Sequence, residues 1–570
     1  MKKYVKNEIV LDESEVWVLS NHNNFNYSEG VKAEKYLEKV FLKANDLSST
    51  SYELETHIKD WSSEYHLTRK RTQLLRGFDF NKNSKVLEVG AGCGAITRFL
   101  GETFDDVVAV EGSIARARLA KLRTKDLNTI SILCAPFQKI KFKKKFDIIF
   151  CIGVFEYSNI FVDGDDPYDV ILKYFSDILS ENGVVVIAIE NQFGLKYFAS
   201  SGEDHTNIMF DGIEGYSKYK NRCKTFGYDE LDARLKKYFD KTQFYFPYPD
   251  YKIPSCVLSE KFLKSANVGE LVGGYSSRDY MKLRQPLFDE KLALLEIDKN
   301  DKLHFFSHSF LVIASKNDNN SAEFNQLGIM YANSRIKKFQ TTTKFKQKNN
   351  NIEVIKKPTY DCEQPKQEKL TLSLTTSQWV DSVSLHMQLF KKVKTKNISL
   401  EEIFNPCRIW IKTIKQNSYT KNKVVWVDGK YIDFIWRNSF IKNNECIFID
   451  QEWKWGEDIT LNFIVIKSIF YFLDEIQNLN GVNPILKIIS TKKLIKKIAS
   501  IMGVKIDNDN FKEFITTEAK IQSMVSGCAL KKAKNSFKFK LHSQMLFNKI
   551  RSFKLVALHI WQKIAFRLGV

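Results

Sequence analysis

The chain has 570 residues, 44% hydrophobic, 27% charged and 13% aromatic, which excludes a largely disordered polypeptide and implies more than one hydrophobic core. Lys and Arg number 87 against 67 Asp and Glu, a net charge of +20, and the nine cysteines stand singly with no CxxC, which disfavours a disulfide scaffold or a structural zinc site. No window approaches ~18 uncharged apolar residues, and the N-terminal lysines meet acids before any long apolar run, so neither a spanning helix nor a signal peptide is expected.

Residues 1–83 read as leading strands or turns followed by helix, with helical periodicity from Val31 to Ala44 and from Tyr52 to Arg76, and are taken as an N-terminal helical extension. From Ser84 the texture changes to short apolar runs separated by helix-length segments: VLEVG (86–90), VVAVE (107–111), TISIL (129–133), FDIIFCIG (146–153) and GVVVIAIE (183–190). Such alternation predicts an α/β domain with a parallel, doubly wound sheet. Two more strands are expected around the Pro-rich turn in 242–259, and a buried strand in HFFSHSFLVIASK (304–316) closes the domain at 84–316. The polar stretch NDNNSAE (317–323) reads as a boundary, KFKQKNNN (344–351) as a hairpin loop, 325–480 as mixed α and β, and 481–570 as a basic helical tail. After Glu518 there is no acid but eleven Lys and Arg, more than half of the excess charge. In that tail Ile550, Phe553, Ala557, Trp561, Ile564 and Leu568 recur at helical spacing. The face they form suits either an anionic membrane surface or docking on the protein's own body or a partner.

The strongest local signal is VLEVGAGCG (86–94), where a strand ends in Glu88–Val89 and glycines follow at 90, 92 and 94. Glycines there let the backbone turn sharply beneath a ligand at the mouth of the next helix. The G-x-G-x-G spacing departs from the G-x-G-x-x-G of nicotinamide and flavin sites. Glu111 ends the next strand, where a carboxylate suits a pair of ribose hydroxyls.

Together these residues resemble the class I S-adenosylmethionine-dependent methyltransferase family over roughly 84–260. The resemblance implies a Rossmann-like fold in which Glu88, Gly90, Gly92, Cys93 and Gly94 surround the methionine end of S-adenosylmethionine and Glu111, followed by Gly112, holds the ribose. Ala135, Pro136 and Phe137 fall at the adenine position, without the acid often found there. CIGVFEYSNI (151–160) stands at the fourth-strand motif, with Tyr157 where a histidine is common. Methyl transfer is largely a matter of positioning, but a hydroxyl acceptor gains from a base. Candidates beyond the fifth strand are Glu190, Asn191, Asp204, His205 and Asp211, with His205 favoured as the base. Tyr65 and His66 either reach the cofactor or pack.

In the C-terminal half, VVWVDGKYIDFIWRNSFIKNNECIFIDQEW (424–453) places Asp433 five residues before Asn438 and an apolar strand before Asp450. That order resembles the catalytic and metal-binding loops of the kinase-like fold, an α+β architecture. The resemblance implies ATP and Mg2+, with Asp433 orienting an acceptor hydroxyl, Asn438 and Asp450 holding metal, and Lys356 in EVIKKP (353–358) meeting phosphate. Tyr431-Ile432 and DQE depart from the kinase pattern, and 325–360 lacks a glycine-rich loop.

A methyltransferase followed by a kinase-like domain and a basic tail is similar to bifunctional enzymes of bacterial surface-polysaccharide synthesis (O-antigen or capsule) that modify a lipid-linked glycan. ENQFG, DGIEGY, YPDYKIP and IDQEW look like motifs of methyltransferases of glycan assembly. The expected activity is methylation of a hydroxyl on such a glycan by a cytoplasmic enzyme lying peripherally on the inner face of the membrane. The alternatives are a bifunctional or mainly kinase enzyme and a non-catalytic recruitment module. A nucleic-acid substrate is disfavoured, because the positive charge clusters away from the glycine loop and no Asn-Pro-Pro-aromatic element follows FDIIF.

Overall fold

The computed structural model describes residues 1–20, 30–217, 222–275, 277–280, 284, 286–317, 321–362, 369–477, 479, 481–486 and 490–542. The chain divides into two compact units, Met1–Tyr331 and Ala332–Val570.

The first unit is built on a sheet whose strands lie in the order Ile9–Leu11, Trp17–Leu19, Ile130–Cys134, Asp106–Glu111, Lys85–Val89, Phe146–Ile152, Leu179–Glu190, Ser309–Ser315, Lys241–Tyr248, Cys256–Ser259 and Gly328–Tyr331. Pairing is parallel from Trp17–Leu19 through Leu179–Glu190. It turns antiparallel from there onward, and also in the hairpin Ile9–Leu11/Trp17–Leu19. The parallel strands are aliphatic on both faces because the helices Ala95–Thr103, Ile114–Arg123 and Pro167–Ile178 pack against them. Alternate residues such as Val184, Val186 and Ala188 share one core with Val86, Val107, Ile148 and Leu311. Each larger aliphatic side chain so buried contributes about 1.5–3 kcal/mol. Lys85–Val89 lies between Asp106–Glu111, the next strand in the chain, and Phe146–Ile152. The strand order reverses there, and in open α/β sheets a crevice opens at the carboxyl ends of such strands.

Residues 1–83 supply strands as well as helices, and Trp17–Leu19 extends the parallel sheet. Val31–Lys43 is helical as its periodicity predicts, but Tyr52 to Arg76 breaks into Tyr52–Thr56, Trp61–Leu67 and a 3-10 turn at Arg69–Leu74. Asp60 and Ser63 cap the second of these reciprocally, and Thr68 is extended, so the periodicity cannot run on as one helix. The stretch 317–323, read as a boundary, ends in Ala322–Glu323, which pair with Asp79–Phe80. The first unit therefore runs on to Tyr331, beyond the expected residue 316.

In the second unit Thr341–Lys348 and Asn351–Pro358 form a hairpin, with Asn349 in the left-handed region, and Ser377–Gln378 adds to its edge. The helices Leu385–Lys392, Leu400–Phe404 and Cys407–Lys415 follow. Next come the loop Gly429–Asp433, the hairpin Ser439–Lys442/Glu445–Phe448 and the apolar helix Leu461–Ile476. Among the described residues no helix is long and apolar enough to cross a membrane. Thr491–Ile501 and Asn508–Ser526, expected within a basic tail, bury Leu494, Ile495, Ile498, Phe514 and Glu518 and belong to this unit's core. Leu530–His542 is a lysine-rich helix, and the stripe from Ile550 to Leu568 lies outside the described residues.

Candidate functional site

A cavity of about 510 Å³ opens at the carboxyl ends of the central parallel strands. Its floor is the glycine loop. Gly90 has φ +81°, and a Cβ there would lie 2.3 Å from Val154 Cγ2; Gly92 has φ +55°, and its Cβ would lie 2.9 Å from Arg116 Nη2. Any side chain at either position would be strained and would fill the space under a ligand. The loop is pinned by the second acid: Gly92 N donates to Glu111 Oε2 (2.8 Å) and Ser113 N to Glu111 Oε1 (3.0 Å). Glu88, Cys93, Gly112, Ala135, Pro136 and Phe137 also line the cavity. Gly94 acts differently: with φ +87° and a prospective Cβ 2.8 Å from Ala120 Cα, it lets two helices approach. Glu88 is buried, and its Oε2 has no hydrogen-bond partner. Burial, reinforced by the charge of Glu111 and opposed by a hydrogen bond from Thr97, pushes its pKa up to about 7.

These features fit S-adenosylmethionine. An orphaned buried carboxylate oxygen suits an ammonium group, a tight glycine cradle suits close backbone approach, and a strand-end acid suits a diol.

The opposite wall carries a charged cluster gathered from separate segments. His205 Nε2 lies 3.2 Å from Glu190 Oε2, and His205 Nδ1 lies 3.3 Å from the Tyr157 hydroxyl. Lys252 Nζ sits 2.5 Å from Glu190 Oε1 and 2.6 Å from Asp204 Oδ2, while Lys196 Nζ takes Asp204 Oδ1 at 2.7 Å. The Asp250 carboxylate, which accepts hydrogen bonds from the backbone of Lys252 and Ile253, shapes the turn that presents Lys252. Burial opposes ionisation of Glu190, but Lys252 and His205 hold its pKa well below the usual range. Burial lowers the His205 pKa, yet Glu190, helped by Glu203 and Glu156, raises it to about 9. Glu156, pushed up to about 8 by burial and then by the Glu190 charge, accepts from Tyr251 Oη at 3.4 Å, and its Oε2 has no hydrogen-bond partner.

The structure thus brings His205, Asp204 and Glu190 together. Asp204 is not placed to act on an acceptor, because both its carboxylate oxygens are taken by lysines; it fixes Lys252. Asn191 and Asp211 do not line the cavity, and Asn191 Nδ2 instead ties its strand end to the backbone of Phe305 and Ser307. Tyr65 and His66 do line it, on the helix that Asp60 caps. Glu156, Lys252 and Lys196 escaped the residue-by-residue reading. The first two lie within the quoted FEY and YPDYKIP stretches, but a lone Glu or Lys says nothing of its partner until the strands are ordered.

In the second unit a cavity of about 400 Å³ is lined by Asp433, Asn438 and Asp450. Asn438 Nδ2 donates to both the backbone oxygen and the Oδ2 of Asp433, each at 3.0 Å. Lys356 pairs with Asp450 and, at 3.1 Å, with Glu452, which also pairs with Arg335. Burial lowers the Lys356 pKa against the pull of Glu452. Asp433, buried beside Lys467 at 3.3 Å, has its pKa raised by burial.

Residues 87–187 match a family model described as a methyltransferase domain. The ribosomal RNA small subunit methyltransferase A of Mycoplasma capricolum is 26% identical over 167 residues, 28% of this chain and 58% of that protein. The ubiquinone biosynthesis O-methyltransferase of Pelagibacter ubique is 29% identical over 126 residues, 22% of this chain and 50% of that protein. The chain thus spans less than two thirds of the length of these curated relatives. The N-methyltransferase NodS from Bradyrhizobium japonicum, solved with S-adenosyl-l-homocysteine, aligns over 28% of this chain and 74% of its own at 18% identity and a TM-score of 0.20. The chain carries a class I S-adenosylmethionine-dependent methyltransferase domain.

Proposed function

We propose that the chain transfers a methyl group from S-adenosylmethionine to a hydroxyl, and that the acceptor is a bacterial surface-glycan intermediate. The observation that carries the reading is that one cavity joins the glycine loop, with Glu88 and Glu111, to a buried wall of Tyr157, Glu156 and His205. When bound, the cofactor supplies an electrophilic methyl group. Glu88, the loop amides, Glu111, Ala135 and Pro136 would hold it. The protein's remaining task is to present the acceptor oxygen in line and to take its proton; His205, which lines the cavity and is held by Glu190 behind it, would do so in its neutral form. Support for a glycan acceptor comes from the resemblance of the ENQFG, DGIEGY and YPDYKIP stretches, and a cytoplasmic enzyme resting on the inner membrane face through its basic tail would meet a lipid-linked acceptor at high effective concentration. Calorimetric titration with S-adenosylhomocysteine tests the cofactor half: no binding by folded protein would remove the reading. Methyl transfer to isolated lipid-linked glycans tests the acceptor half.

A second reading, phosphoryl transfer by the Ala332–Val570 unit, is favoured by one observation. Asp433 and Asn438, hydrogen-bonded within one stretch, and Asp450 from the next stretch line one cavity, and Lys356 from a separate hairpin pairs with Asp450. Asn438 and Asp450 would hold Mg2+ and Lys356 the phosphates of ATP. Titration with ATP and Mg2+ tests it, and absence of binding would leave this unit a structural domain.

A further inference from the structure

We propose that Glu156, Glu190 and His205 form a binding site for a divalent cation in the wall of the methyltransferase cavity. This inference rests on the reading that the cavity holds the acceptor, and it deepens it. One ligand atom from each of the three side chains lies within 4.8 Å of the others. They come from three segments: the turn Phe155–Tyr157 after one parallel strand, the end of the next strand, and the loop that follows. The fold itself, rather than a local motif, assembles the set.

One observation beyond the cluster itself points to a cation. Glu156 is 1% exposed, and while its Oε1 accepts from Tyr251, its Oε2 has no hydrogen-bond partner, so the desolvation of that oxygen is not offset by a hydrogen bond. Lys252 engages Glu190 through Oε1, leaving Oε2 toward His205, and the His205 Nε2···Glu190 Oε2 contact is the one a cation would replace.

Two carboxylates and one imidazole suit Mn2+ or a similar borderline-hard divalent ion. Three protein ligands leave coordination positions open, the arrangement of catalytic rather than structural sites. Glu156 and His205 line the cavity, so the open positions face the acceptor. A hydroxyl bound there would be made more acidic by the cation, so that its proton could pass to solvent water while His205 serves as a ligand.

The test is titration of the chelator-treated full-length chain with MnCl2 alone, followed by calorimetry and electron paramagnetic resonance, with S-adenosylhomocysteine affinity measured on the same samples. Saturable Mn2+ binding with a nitrogen hyperfine coupling is expected. It should weaken at least tenfold in both E156Q and H205Q while circular dichroism is unchanged, and persist in D450N, which tests the other unit's carboxylate. If the wild-type chain binds S-adenosylhomocysteine but no Mn2+ up to millimolar concentration, the proposal is overturned and the methyltransferase reading stands. Mn2+ binding that survives in both E156Q and H205Q, or that disappears only in D450N, overturns it as well. Mn2+ binding sensitive to both substitutions without any S-adenosylhomocysteine binding would keep the cation site and overturn the methyltransferase reading. Should E156Q fail to fold, H205Q and the hyperfine coupling carry the test.

Discussion

At residue scale the proposed cofactor site turns on two acids with different surroundings. Each Glu111 oxygen accepts one loop amide, from Gly92 and Ser113, so its carboxylate is aimed before any ligand arrives and keeps lone pairs for one. Glu111→Ala should weaken S-adenosylhomocysteine binding by about 1–3 kcal/mol, the scale of losing charge-assisted hydrogen bonds, and unchanged affinity by calorimetry would refute the ribose assignment. Glu88 is raised to about 7, above its unfolded value of 4.5. The native state therefore keeps a proton that the unfolded chain has released, so this group makes the protein less stable as pH rises from about 4.5 through 7. By pH 8 the loss is on the order of 3 kcal/mol. Glu88→Gln should accordingly raise the melting temperature of the ligand-free protein at pH 8, have little effect near pH 5, and weaken cofactor binding. A melting temperature unaltered at pH 8 would show that the buried charge is neutralised elsewhere. The identities of both acids were legible because each ends an apolar strand beside glycines. That one Glu88 oxygen is orphaned while both Glu111 oxygens accept loop amides was not legible, since both acids stand at a strand end and differ only in which loop amides face them.

At the scale of elements, the turn around Asp250 and the loop at 203–205 meet at the end of the strand Leu179–Glu190 through Lys252. Lys252→Met would leave Glu190 and Asp204 charged and under-compensated in the interior, a cost of about 3–5 kcal/mol. Chemical denaturation should show this loss, with a smaller effect for Lys252→Arg; equal stability would mean the lysine is dispensable. Gly94→Ala tests a different contact, that between Ala95–Thr103 and Ile114–Arg123. The positive φ and the 2.8 Å approach to Ala120 Cα predict a loss of about 1–3 kcal/mol even though no ligand is involved. Aliphatic runs between helices announced the strands, because a parallel strand covered on both faces needs apolar residues at every position. The short strands Ile9–Leu11 and Trp17–Leu19 were harder to read: a three-residue strand carries too little alternation to be told from a turn.

At the scale of the whole molecule the chain comprises two units, each with its own cavity. Independent sites predict that Asp450→Ala leaves S-adenosylhomocysteine affinity unchanged while removing any binding of ATP and Mg2+. Coupled loss of both would argue against two separate sites. The basic C-terminal stretch makes a further prediction that follows from charge alone. Removing residues 528–570 should abolish binding to anionic vesicles and spare cofactor affinity, and undiminished vesicle sedimentation would move the membrane contact elsewhere.

By itself the sequence determined the glycine loop, the two acids beside it, the parallel sheet and the order Asp433, Asn438, Asp450, because these are local patterns: strand ends, glycine spacing and short intervals along one segment. Only the tertiary structure decided that residues 491–526 are core rather than tail, that Asp204 is a clamp for lysines, and that Glu156, Glu190 and His205 converge. Those outcomes depend on which strand lies beside which and on how much water each charge loses, and neither quantity is carried by spacing along the chain.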